Sequence, residues 1–274
     1  MPLPVRLVVC FAAVSLTTTL VAAAPITFSV GGDSNAASIQ ATVDAFRAAL
    51  GTPDNGDAPG PLTGGRREID WDGGTDTTLP IAPFDAFLDT RGVRFSTPGS
   101  GLSQATPEGL GVLFGNPTYG TTFSTFSSER LFVPVGSNIT DVLFFLPGSN
   151  GAVAATVNGF GVVFADVDLA NTTAVSLFDV NGVLLYSASV APGTVADGGL
   201  SFLGVMFGAG ERIARVRITT GNSALGPNDG GGVDVVAMDD LFFSEPLAAV
   251  PEPATLALLG LGLAGVAAAR RRRQ

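Results

Sequence analysis

The chain has no histidine and no lysine, and its single cysteine, Cys10, stands close to the N-terminus. Each absence closes off a chemistry. Without imidazole there is no Ser-His-Asp triad and no histidine-ligated zinc, and without lysine there is no Schiff-base nucleophile. One cysteine cannot make an intramolecular disulfide, so stability rests on the apolar core or on bound ions. An enzyme built from this chain would have only Asp, Glu, Tyr, Ser or Arg to work with. Tyrosine is itself scarce: Tyr119 and Tyr186 are the only two, and neither stands in an acidic cluster.

Positive charge is also thin. All 14 basic residues are arginine, against 24 acidic ones. Five arginines (Arg6, Arg270, Arg271, Arg272 and Arg273) and Glu252 fall in the terminal segments. The body keeps nine arginines and 23 carboxylates, a formal charge of −14. Such a surface repels phosphate backbones and anionic lipid, which argues against nucleic acid as a partner. Divalent cations and neutral sugars suit it better.

What is present begins with two greasy ends. Arg6 precedes an apolar run from Leu7 to Val21 that finishes in Ala22, Ala23 and Ala24, the small-residue pattern of a signal-peptidase site. Cleavage after Ala23 is favoured over cleavage after Ala24, where Pro25 obstructs the cut. Cys10 lies at the start of the apolar run, where a lipoprotein box would need it at the end. It reads as apolar filler.

At the other end, Val250-Pro251-Glu252-Pro253 precedes the apolar stretch 254–269, then Arg270-Arg271-Arg272-Arg273 and Gln274. As a helix, that stretch would span about 24 Å, somewhat short of a ~30 Å hydrocarbon core. The four arginines would hold its end in the cytoplasm. The Pro251-Glu252-Pro253 motif, the short helix and the block Arg270, Arg271, Arg272 and Arg273 resemble the sorting signal of PEP-CTERM proteins. The resemblance implies export across the inner membrane of a Gram-negative bacterium. It further implies processing by an exosortase, after signal peptidase, in cells that make extracellular polysaccharide. A plain tail anchor is the alternative.

Between these ends the pattern is mainly β. Residues 33–51 predict one helix, with Ile39, Val43, Phe46 and Leu50 at helical spacing, Asp33 or Ser34 as cap, and Gly51 as stop. Residues 52–65 form a turn-rich loop. Strands are predicted at 92–96, 110–114, 130–135, 140–146, 160–169, 174–179, 183–189, 200–207, 212–219 and 235–244. Val180-Asn181-Gly182 marks a hairpin. In 212–219, Arg215 and Arg217 alternate outward against Val216 and Ile218. The expected fold is a β-sandwich or jelly roll with one short N-terminal helix, plus a C-terminal transmembrane helix over 254–269. The expected organisation is a signal peptide over 1–23, a helix- and loop-rich part over 24–109, a β-sandwich over 110–246 and the sorting tail over 247–274.

The segments 65–73, 90–98, 202–205 and 238–242 resemble a group of secreted bacterial proteins that often bear the same tail, which implies one coherent body without assigning it a chemistry. The closing Asp239-Asp240 strand is similar to jelly-roll modules that bind sugars.

Carboxylates supply the candidate sites. Asp70, Asp72 and Asp76 lie in a glycine-containing loop that can converge oxygens on a hard cation, although an ordinary solvated turn has the same composition. Trp71, the only tryptophan, offers a face for a sugar ring or a core residue. Asp166 and Asp168 share a strand face by alternation, which asks for a cation or a strand-end exposure. Asp239 and Asp240 should face opposite sides, so only one of them can join a given calcium cluster; Asp240 shares its side with Met238 and Phe242. No protein cofactor follows from these residues; calcium is the one candidate. The functional expectation is a non-catalytic surface or matrix protein that binds glycan or builds extracellular polysaccharide matrix. A polysaccharide hydrolase or lyase using Asp or Glu is the alternative, and a self-assembling surface layer a third.

Overall fold

The computed structural model describes residues 24–249, apart from 78, 209, 211 and 229. The expected signal peptide over 1–23 and the 254–269 helix lie outside the described residues. So do the sorting residues Pro251, Glu252, Pro253, Arg270, Arg271, Arg272 and Arg273. No described helix is long and apolar enough to cross a membrane.

β1 (Ile26–Gly31) leads into α1 (Ala37–Leu50), followed by β2 (Arg66–Ile69), β3 (Val93–Ser96) and β4 (Gly101–Ala105). Two short helices, α2 (Pro107–Phe114) and α3 (Tyr119–Thr122), precede β5 (Leu131–Val135), β6 (Ile139–Phe144), β7 (Ala155–Thr156) and β8 (Gly159–Ala165). Then come β9 (Ala174–Phe178), β10 (Leu184–Ser189), β11 (Leu200–Met206), β12 (Arg215–Thr219), β13 (Ala237–Ser244) and β14 (Leu247–Ala248).

The chain is mainly β, and its strands pair antiparallel. A seven-stranded sheet runs β1-β11-β8-β13-β5-β4, with β2 also on β13; a five-stranded sheet runs β10-β9-β12-β6-β3; β14 pairs with β7. Strands from 24–109 enter both large sheets: β1 pairs with β11, β2 with β13, β3 with β6 and β4 with β5. Early and late chain thus build one body.

The two large sheets pack face to face. Phe95, Val142, Phe144, Val175, Leu177, Val216 and Ile218 of the smaller sheet meet Phe160, Val162, Phe164, Leu203, Val205, Leu241 and Phe243 of the larger. A second core lies on the other face of the larger sheet. There Ile39, Val43, Phe46 and Leu50 of α1 cover Val163, Phe202 and Phe242. These four are the residues whose spacing predicts the helix. α1 starts differently from expectation: the Asn35 carboxamide oxygen accepts from Ala37 N, while Asp33 accepts from Asn35 N. The close approach of helix to sheet depends on glycine. Gly161 and Gly204 are register partners, and a Cβ on either would stand under 3 Å from the Phe46 ring.

Residues 110–114 are helical, not a strand. Thr106 caps α2 by accepting from Gly109 N, Pro107 occupies the first turn, and Gly115 closes it at φ 68°. A threonine cap, an N-terminal proline and a left-handed glycine outweigh the local strand propensity of Leu110 to Phe114. The 52–65 loop is pinned to the body by a fully buried pair. Arg67 Nε donates to Glu245 Oε2 at 2.8 Å, and the same guanidinium donates to the carbonyls of Gly56, Ala58 and Thr90.

Candidate functional site

The acidic loop after β2 folds around a guanidinium. Arg130 Nε donates to Asp76 Oδ1 at 3.1 Å and its Nη1 to the Asp72 carbonyl at 3.0 Å, while Asp72 Oδ1 accepts from Arg130 N. Asp76 also accepts from Thr106 N at the start of α2. Arg130 thus sits where the calcium expectation placed a divalent ion. Asp70 is exposed.

The other predicted carboxylates go elsewhere. β8 ends at Ala165, and Asp166 follows at φ 68°, which breaks the alternation that would have aligned it with Asp168. Buried Asp166 accepts from Gly198 N, whereas Asp168 is exposed. The six residues Asp70, Asp72, Asp76, Asp166, Asp168 and Asp240 therefore do not converge. Among the described residues, no group of three carboxylates is placed to hold a metal ion.

Trp71 offers no face to a sugar. It is fully buried, stacks on Phe132 with ring centroids 3.8 Å apart, and donates from Nε1 to the Asp239 carbonyl at 2.8 Å. Its faces are occupied by the core, so no sugar ring can stack there.

The site that the alternation rule missed is the Asp239-Asp240 pair. Met238 pairs with Phe164 and Leu241 with Val162, so β13 has one residue too many against β8. This bulge undoes the strict in-and-out alternation, and both aspartates are buried. Asp239 Oδ2 accepts from Phe126 N at 2.6 Å, and Asp240 Oδ1 accepts from Ser127 Oγ at 2.6 Å. Both carboxyls therefore hold the same loop, 123–129. Burial, then the neighbouring Asp240 charge, holds the Asp239 carboxyl well above the ordinary carboxylate range. Burial raises Asp240 to about 6; Asp70 adds to the rise, while the Ser127 hydroxyl and Arg47 oppose it. An adjacent acidic pair inside an otherwise apolar strand was the signal available in the sequence.

The same loop lines an open depression of about 430 Å³. Five hydroxyl residues face it (Ser34, Thr106, Ser124, Thr125 and Ser128), together with Glu108, Glu129 and Pro107, while Phe123 borders it as a buried core residue. Hydroxyl groups that can donate and accept thus stand beside two carboxylate acceptors at one depression. Neither tyrosine contributes: Tyr119 is buried, with its hydroxyl donating to the Gly226 carbonyl at 2.8 Å.

Comparison with known proteins places this mainly β body in front of a sorting device. Residues 249–273 match the PEP-CTERM protein-sorting motif. The matched stretch takes in Pro251, Glu252 and Pro253 and all four closing arginines, Arg270, Arg271, Arg272 and Arg273. The match supports an exported protein sorted to the Gram-negative cell envelope, with an exosortase as its processing partner. No curated protein matches the chain in sequence.

Proposed function

We propose that the chain is a non-catalytic envelope protein whose body holds a neutral polysaccharide segment in the hydroxyl-lined depression between α2 and the 123–129 loop. The observation that supports this most is the composition of that depression, five hydroxyls and two carboxylates around Pro107 and Phe123. The body's formal charge of −14 selects against polyanionic ligands, and the sorting motif directs the protein to where surface glycans are. In this reading the two packed sheets act as a jelly-roll-like platform, and the glycan contacts come from loops at its edge.

Retention of the full chain on neutral and on uronate-rich polysaccharide matrices tests the reading. Retention by the neutral matrix, weakened at least tenfold by Ser124→Ala with Thr125→Ala, is the expected result. Equal retention of the doubly substituted chain, or none by any matrix, overturns it.

A polysaccharide hydrolase or lyase is the second reading, favoured by one observation: Glu108 and Glu129 line the same depression. Glycoside hydrolysis uses two carboxyl groups flanking one bond. Turnover of a retained polysaccharide, abolished by Glu129→Gln, would replace the binding reading with this one.

A further inference from the structure

Two carboxyl groups side by side in a buried bulge cannot both carry charge without a large cost, so a proton or a cation must neutralise part of the pair. The surroundings decide between them. Asp239 Oδ1 is buried and accepts no hydrogen bond. Its other oxygen accepts from Phe126 N, and the Asp239 and Asp240 side chains are close enough to hydrogen-bond each other. Asp240 already accepts from Ser127 Oγ and has Arg47 Nη2 at 3.9 Å. A proton on Asp239 Oδ1 turns the orphan oxygen into a donor to Asp240. It also leaves Oδ2 as a carbonyl acceptor for Phe126, so every polar atom of the pair is then used.

The charged groups facing the pair are Arg47 from α1, and Asp70 and Asp72 from the loop after β2. Glu68 of β2 is bonded to Arg47 rather than to the pair. Arg47 can offset one negative charge. The remaining neighbours add to it.

We propose that Asp239 is a positioning residue carried as the neutral acid: its proton, donated to the Asp240 carboxylate, clamps the 123–129 loop and so fixes the shape of the glycan depression. The ligand half of this rests on the binding reading above; the clamp does not. Loss of the proton puts two like charges into the bulge, and their repulsion drives the two carboxyls apart together with Phe126 and Ser127, which they hold. Ligand retention then falls with rising pH, at a point set by Asp239 rather than by the ligand.

The test uses the full chain, unaltered and as Asp239→Asn and Asp239→Leu. Asparagine reproduces the neutral acid, with an acceptor oxygen for Phe126 and an N–H donor for Asp240. It should melt within about 2 °C of the unaltered chain and keep its retention on neutral polysaccharide. Leucine, which has neither group, should lose retention. Trp71, bonded to the Asp239 carbonyl, is a built-in reporter. Its fluorescence should show an alkaline transition in the unaltered chain that Asp239→Asn lacks.

The carboxyl carbon resonance of Asp239 in the unaltered chain, read at neutral pH, decides the matter even if a variant fails to fold. A protonated-acid shift supports the clamp. An ionised shift overturns it, as does a chelator-induced change in the melt or the Trp71 signal, since a cation would then be the neutralising partner. A protonated Asp239 in a chain that no polysaccharide retains would leave the clamp standing and sink the glycan reading alone.

Discussion

The two large sheets handle polar residues in opposite ways. In four strands of the five-stranded sheet every second residue is turned to solvent: β3, β6, β9 and β12 alternate between buried and more exposed positions along their whole length, while the edge strand β10 has no buried position. Its charges sit on the open face, where Arg217 and Arg215 both bond to Asp141. The seven-stranded sheet is covered twice, by the other sheet and by α1, and β8 and β13 are buried at every position. Arg67 on β2, Asp239 and Asp240 on β13 and Glu245 just after it are therefore buried too, while Arg66 and Glu68 of β2 stay partly exposed. A charge on an open sheet face is inexpensive and does little. A charge in a doubly covered sheet survives only with a dedicated partner, and in this body those partners hold the loops.

The sharpest way to break this contrast is to remove one partner on each sheet. Glu245→Ala leaves the Arg67 guanidinium buried without its carboxylate and should cost about 3–5 kcal/mol, read as a fall in the urea midpoint. Arg217→Ala, on a side chain 45% exposed, should cost under about 1 kcal/mol. Equal losses would erase the distinction.

A smaller effect tests the cover itself. Gly204→Ala would place a Cβ 2.7 Å from Phe46 Cδ2, forcing α1 off the sheet at about 1–3 kcal/mol. The same change at Gly182, where a Cβ meets nothing within 4 Å but φ is 76°, should cost only the backbone strain, about 1 kcal/mol.

The smallest effect is one of sign. Asp141 is raised by burial, but the Arg217 and Arg215 bonds outweigh this and leave its pKa lowered. Its contribution is present above the unfolded-state value and is lost as pH falls through the folded one. Asp240 is raised to about 6, so its contribution is full below the unfolded-state value and is lost as pH rises through about 6. In pH-dependent melting, Asp141→Asn should flatten the acid limb and Asp240→Asn the decline between about pH 4 and 6. Matching curves for the two variants would show that burial does not separate the sheets.

The open sheet is the more legible of the two, because alternation is written into its residues: Val216 and Ile218 point inward against Arg215 and Arg217 as their spacing predicts. The hairpin at Val180-Asn181-Gly182 and the buried stripe of α1 are equally local signals. The covered sheet hides its signals. A run such as Gly159 to Ala165 is apolar on both faces and does not say which residue meets which layer. The extra residue at Asp239-Asp240 becomes visible only against the β8 register. The density of carboxylates around Asp72 is plain from the residues, but the neutralising Arg130 lies 58 positions away, beyond any spacing argument.

The body's last hydrogen bonds decide how closely the sorting motif follows the fold. Leu247 and Ala248 are zipped to β7, and Ala249 N donates to the Ala154 carbonyl at 3.0 Å. Pro251 follows only two positions later, a reach of about 7 Å even at full stretch. Ala249, the first residue of the matched stretch, is thus itself held in the fold. Whatever reads the motif meets Pro251 within about 7 Å of a hydrogen-bonded sheet edge.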